Sequence, residues 1–235
     1  MDKQYISETK MLNFNDKSLQ ELIQTRKWLN LDMYNRIKAI YEFVQNEILF
    51  GYNKSDTLSA SQVLNDGYGQ CNTKATLLIA LLRACNVPSR IHGFEVSKDF
   101  QKGATNSLIS ILAPDTILHT WAEVYYNDEW LALEGVITDK KYFDSVKKTY
   151  INIENKFEYY AIATNDFKNI SIDWNGNSTY VQSTAIVKDL GTYPSPDIFF
   201  EEYSQHWSKL KDLMYVIIAR KIMNYNVSKM RNKYK

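Results

Sequence analysis

No apolar run in this chain approaches the roughly 18 residues that cross a membrane. The opening residues, Met1 to Tyr5, also lack the apolar stretch of a secretory signal. Both absences lead us to expect a cytosolic protein without a membrane partner. An excess of one charge is missing too: 28 Lys and Arg stand against 27 Asp and Glu, interspersed through most of the chain. No overall field therefore draws it to nucleic acid. Only Lys229 to Lys235 departs from this balance, and it reads as a solvated end. Cysteine is scarce. Cys71 and Cys85 fall on what reads as one helix, about 21 Å apart at 1.5 Å per residue, whereas a disulfide needs Cα atoms within about 7 Å. They are expected to be free thiols, as a reducing compartment leaves them. There is no internal repeat, low-complexity linker or Pro/Gly-rich boundary.

What is present describes a folded chain. Apolar residues make up 45% and charged residues 23%, and 17 tyrosines and 5 tryptophans carry more aromatic surface than a disordered chain would. At 235 residues, one domain with extensions is expected rather than two equal domains.

Three-to-four spacing of Leu22, Ile23, Tyr34, Ile37, Ile40, Tyr41, Phe43 and Val44 predicts helices over Ser18 to Trp28 and Asp32 to Leu49, the second ended by Gly51. A short turn from Ser59 to Leu64 follows, then the breaker Asn65, Asp66, Gly67, Tyr68, Gly69. Cys71 to Cys85 is the most apolar helix and should be central. After Pro88 the pattern turns strand-like, over Ser89 to Val96 and Ser107 to Leu112. A hairpin then runs out from His119 to Tyr126 and back from Glu129 to Leu133. Asn127 and Asp128 tolerate the positive φ of its turn. Helices followed by antiparallel strands predict an α+β fold. Residues 157–187 read as short stretches with Asn-rich turns. From Pro196 to about Asn226 a helix is expected, its stripe of Leu210, Leu213, Met214, Ile217 and Ile218 docked on the core.

Two glycines deliver Cys71 to the first turn of a buried helix. There the free N–H groups and the positive end of the helix dipole favour a thiolate. The same N–H groups suit the oxyanion formed when a thiolate attacks a carbonyl. Cys85, at the opposite end, reads as packing. A thiolate nucleophile calls for a base, and His92, His119 and His206 are available. His119 shares a strand face with Trp121 and Glu123. In the predicted hairpin it lies opposite Val136, with Glu134 as its diagonal neighbour, within reach of the imidazole. That carboxylate would orient and stabilise the ring. His92 is the second candidate for the base, and His206 reads as structural. A metal held by Cys71, His92 and His119 fits no compact zinc spacing.

The runs Gly67-Tyr68-Gly69-Gln70-Cys71, Leu81-Leu82-Arg83-Ala84 with Val87-Pro88-Ser89-Arg90-Ile91-His92-Gly93, and His119-Thr120-Trp121-Ala122-Glu123-Val124 with Trp130-Leu131-Ala132-Leu133-Glu134 resemble the transglutaminase-like superfamily. The resemblance spans about Tyr41 to Tyr142. It implies a papain-like α+β fold with a core at about 35–145, a helical extension over 1–34 and a C-terminal extension over 146–235, standing alone as a bacterial-type domain. It implies the triad Cys71, His119 and Glu134, with Trp121 as a wall of the substrate cleft. Gln70 and Tyr52 are further candidates for substrate contact. The family's acid is usually aspartate; here it is glutamate, one methylene longer. The second oxyanion donor is open among Phe50, Tyr52 and Gln62, of which only the last two carry a donor. The calcium-binding and β-barrel domains of the large animal enzymes have no room, and no cofactor is implied.

The expected chemistry is cleavage or transfer of the acyl group of a peptide, protein side-chain or small amide through a thioester on Cys71. Hydrolysis is expected over cross-linking, because nothing in the sequence marks a dry amine site. The competing reading, from fold alone, is a non-catalytic peptide- or protein-binding module.

Overall fold

Short polar residues set the helix starts. In the computed structural model, which describes residues 2–105, 114–203 and 214–234, Asp16 accepts from the Ser18 N–H to open α1 (Lys17–Arg26). Asp32 accepts from the Asn35 N–H to open α2 (Met33–Asn46). Helix α2 buries Ile37, Ile40, Tyr41 and Val44, the face its periodicity predicts. It ends earlier than expected, and Gly51 does not cap it. Leu49–Phe50 instead forms β1, paired in parallel with β2 (Tyr68–Gly69), and the Gly51 N–H donates to the Gly69 carbonyl at 3.0 Å. That long-range pairing draws the backbone out of the helix. Ser59 and Gln62 make a capping box for α3 (Ala60–Asp66), and Gly67 closes it at φ 68°.

Helix α4 (Cys71–Ala84) is apolar on nearly every side and buried from Asn72 to Arg83. Six strands follow among the described residues: β3 (Ser89–Ser97), β4 (Thr116–Tyr126), β5 (Glu129–Ala132), the small hairpin β6 (Phe157–Tyr159) and β7 (Ile162–Thr164), and β8 (Ile186–Tyr193). The main sheet is antiparallel in the order β5-β4-β3-β8. Helix α4 packs on its β3 and β4 strands, and α2 and α3 lie against α4. This is the α+β arrangement the sequence predicts, with Cys71 opening the central helix. Asn127 and Asp128 turn the β4–β5 hairpin at φ 52° and 65°.

Two expectations need correction here. Strand β4 starts at Thr116, three residues before His119, and β5 stops at Ala132. Glu134 therefore does not extend the ladder but opens a 3₁₀ turn, Glu134–Ile137. Close packing at Gly135 accompanies the turn: a Cβ there would meet the Tyr41 hydroxyl at 2.5 Å.

The C-terminal part surrounds this core. Asp139 caps α5 (Lys140–Thr149), and α6 (Pro196–Glu202) seats Phe199 on Gly93, where a Cβ would meet the ring at 2.1 Å. A π-helical turn, Tyr215–Ala219, leads into α7 (Arg220–Arg231). The predicted docking stripe is not the buried face: Met214, Ile217 and Ile218 are 40%, 49% and 52% exposed, while Met223, Val227 and Met230 point inward. The wider π turn rotates the helix face relative to a regular 3.6-residue pattern. Leu210, Leu213, His206 and the strand expected over Ser107 to Leu112 lie outside the described residues. Among those described, no helix is long and apolar enough to cross a membrane.

Candidate active site

The approach to Cys71 is sterically tight. A Cβ on Gly69 would meet Lys74 Cγ and Thr73 Oγ1, each at 2.8 Å, so glycine lets the chain turn this closely onto the start of α4. Gln70 precedes Cys71 as helix cap. Its N–H donates to Thr73 Oγ1 (3.1 Å), its Oε1 accepts from the Asn53 N–H (2.9 Å) and its Nε2 donates to Asp56 (2.9 Å). Both ends of its amide are thus committed to the protein rather than to a substrate. Cys71 is half-buried at the first helical position, where unpaired backbone N–H groups point outward.

Asn72 ties this first turn to the strand that carries His119. Its Nδ2 donates to the Leu118 carbonyl (3.3 Å) and its Oδ1 accepts from Thr120 Oγ1 (3.0 Å), one bond on either side of the histidine. The same Oδ1 lies 3.6 Å from Cys71 Sγ. Sequence patterning gave no role to Asn72.

His119 and Glu134 are both fully buried, with His119 Nε2 and Glu134 Oε1 2.9 Å apart. The other carboxylate oxygen accepts from the Val181 N–H (2.8 Å), and the Glu134 and Gly135 N–H groups donate to the Thr179 carbonyl and Oγ1, each at 3.1 Å. Thr179 and Val181, which hold the acid, carry no signal in the sequence because they act largely through backbone. The second ring nitrogen, His119 Nδ1, is buried and has no hydrogen-bond partner by distance and angle among the described residues. The Cys71 side chain is nevertheless close enough to act on it. Burial by itself would lower the basicity of His119, but the Cys71 charge and hydrogen bonding to Cys71 and Glu134 reverse this and raise its pKa to about 10. A protonated ring at neutral pH is the form that pairs with a thiolate.

Trp121 is only 6% exposed. Its ring lies 4.0 Å from Phe94, 5.7 Å from Tyr180 and 6.1 Å from His119, centroid to centroid. It supports the imidazole from the side more than it offers an open wall. His92, the second candidate base, has both nitrogens engaged, Nδ1 with Glu123 (2.7 Å) and Nε2 with Asp189 (2.8 Å). Burial opposes its charge, but those carboxylates raise its pKa. Cys85 is fully buried, and burial pushes its thiol up to about 11. Among the described residues no group of three or more His, Cys, Asp or Glu could hold a metal.

The three candidates for the second oxyanion donor differ in their surroundings. Phe50 has no donor, and Gln62 Oε1 caps the Ser59 N–H at 3.0 Å. The Tyr52 hydroxyl is buried without a partner among the described residues. Burial pushes its pKa well up, with further contributions from the charges of Tyr215 and Cys71, so the hydroxyl keeps its proton.

Comparisons with known proteins bear on this geometry. Residues 23–135 match the family described as the transglutaminase-like superfamily. A search of curated proteins gives no match. Among solved structures the chain is similar to a protein from Cytophaga hutchinsonii provisionally described as a cysteine protease, with 14% identity, a TM-score of 0.47 and coverage of 82% of this chain. The match covers 47% of that protein, so the chain spans about half its length.

Proposed function

We propose, from the match of residues 23–135 to the transglutaminase-like superfamily, that the chain is a cysteine-dependent amide hydrolase working through a thioester on Cys71. The observation that carries this reading is the buried His119, bound to Glu134 at Nε2, with an Nδ1 that meets no partner by distance and angle among the described residues and a ring close enough to Cys71 to feel its charge.

In the proposed reaction the Cys71 thiolate attacks an amide carbonyl. The oxyanion is held by N–H groups at the start of α4 and by the Tyr52 hydroxyl. Collapse of the tetrahedral adduct breaks the C–N bond, and the His119 imidazolium gives its proton to the departing amine. Water then attacks the thioester, with neutral His119 taking a proton from it. The acid leaves, and the thiolate–imidazolium pair is restored. Glu134 holds the ring in the orientation this proton traffic requires. Water is the favoured acceptor because of its concentration. Peptides, protein side-chain amides and small amides all present the required carbonyl. The two free cysteines suit a reducing compartment such as the cytoplasm.

Acylation and alkylation test the reading separately. p-Nitrophenyl acetate forms an oxyanion when a thiolate attacks it, whereas iodoacetamide alkylates the thiolate by displacement of iodide, without one. We expect acetylation at Cys71, seen by peptide mass spectrometry, and slowing of that step by about a hundredfold in Tyr52→Phe, with alkylation little changed. Failure of Cys71 to acetylate in the folded protein would contradict the proposal.

A further inference from the structure

Residues 50–53 carry Tyr52, yet their backbone is held largely from far along the chain. The Phe50 N–H donates to Asp139 Oδ2 (3.0 Å), and the Phe50 carbonyl accepts from Arg231 Nη2 (2.5 Å). The Tyr52 N–H donates to Asn224 Oδ1 (2.7 Å), and the Tyr52 carbonyl accepts from Asn224 Nδ2 (3.1 Å). The Asn53 carbonyl accepts from the Tyr215 hydroxyl at 3.2 Å. Tyr215, Asn224 and Arg231 all belong to the C-terminal helical segment, 162 or more residues beyond the groups they hold.

Asn224 stands out among them. Its carboxamide meets both the N–H and the carbonyl of one residue, as a neighbouring strand would. Gly51 leaves room for it: a Cβ there would meet Asn224 Oδ1 at 3.1 Å. A two-point contact fixes the rotation of the local backbone as well as its position, and so the direction in which the Tyr52 side chain departs. That side chain ends in the buried hydroxyl that lacks a partner among the described residues and feels the charge of Cys71. An orphaned buried donor is costly, and a site that needs one must hold it rigidly in place.

We propose that Asn224 is a positioning residue for acyl transfer, aiming the Tyr52 hydroxyl at the oxyanion formed on Cys71. Helix α7, outside the matched residues 23–135, thereby completes the site. This inference rests on the reading of Cys71 as nucleophile.

The test uses the full chain with Cys85→Ala, comparing p-nitrophenyl acetate acylation with iodoacetamide alkylation of Cys71. Asn224→Ala should slow acetylation about tenfold, since small misplacements of a positioned group are costly, while alkylation keeps its rate. Added to Tyr52→Phe, it should cause no further loss, because the group it aims is gone. Asn224→Asp keeps the bond from the Tyr52 N–H and loses the one to the carbonyl. It should fall between, and it decides the matter if the alanine variant does not fold. The inference is overturned if Tyr52→Phe slows acetylation and the Asn224 variants do not. It is also overturned if they slow alkylation equally, or if the losses multiply in the double variant. A parent protein that does not acetylate at Cys71 removes the underlying reading as well, so the two failures are distinguishable.

Discussion

Gly69 shows how one residue can decide whether the site forms. Its missing Cβ makes room for Thr73 and Lys74, whose nearest atoms would lie 2.8 Å from it, and Thr73 in turn accepts from the Gln70 N–H. We expect Gly69→Ala to cost about 1–3 kcal/mol, the usual range for overpacking a tight site, and to slow Cys71 alkylation, because the strain falls on the first turn of α4. Urea unfolding and alkylation rate measure the two effects. A variant that loses stability yet alkylates at the parent rate would show that the turn does not position the sulfur. Residues such as Gly69, Cys71 and the Asn127-Asp128 turn were legible in the sequence because their requirement is local. Asn72 was not, since its bonds to Leu118 and Thr120 join segments 46 and 48 residues apart.

At the scale of elements, α4 carries a burden its apolar pattern hides. Lys74, one turn after Cys71, is fully buried with Nζ donating to the Gln45 carbonyl at 3.1 Å. Burial lowers its pKa to about 7; Asp139 opposes this and Arg231 adds to it. Between that value and the ordinary lysine range the unfolded chain binds more protons than the folded one, so this group makes stability rise with pH from about 7 to about 10. Below that window its charge penalises the folded state fully. Lys74→Met should therefore flatten the stability profile over this window, as measured by urea unfolding at several pH values. An unchanged profile would mean that Lys74 is not the group responsible. Helix α4 and the β4–β5 hairpin were readable from periodicity and turn chemistry. The 3₁₀ turn at Glu134 and strand β8 were not, because Thr179, Val181 and the long β3 partner lie far along the chain. Cys71, His119 and Glu134 were named from local patterns and a resemblance, whereas the groups that hold Glu134 are visible only in three dimensions.

For the whole molecule, the C-terminal segment is tied to the core through one buried ion pair. Arg231 donates to Asp139 through Nε and Nη2, the latter at 2.7 Å, and Asp139 caps α5 and accepts from Phe50. Burial would raise the Asp139 carboxyl, but Arg231 outweighs it and holds the pKa below the usual range. Removing one partner leaves a buried charge, so Arg231→Met should cost about 3–5 kcal/mol near neutral pH. The contribution of a carboxyl with lowered pKa is present above its unfolded value and lost as pH falls through its folded one. The cost in Arg231→Met should therefore shrink in acid, and a cost independent of pH would point to lost packing instead. The account of the molecule as a whole rests on coupling between Cys71 and His119. The most direct measurement is the pH dependence of Cys71 alkylation by iodoacetamide in Cys85→Ala, repeated with His119→Ala. We predict ready alkylation near pH 6, where ordinary thiols react slowly, and loss of about tenfold or more of that rate without His119. Alkylation that rises only at the pH of a free thiol, or that is indifferent to His119→Ala, would contradict the account.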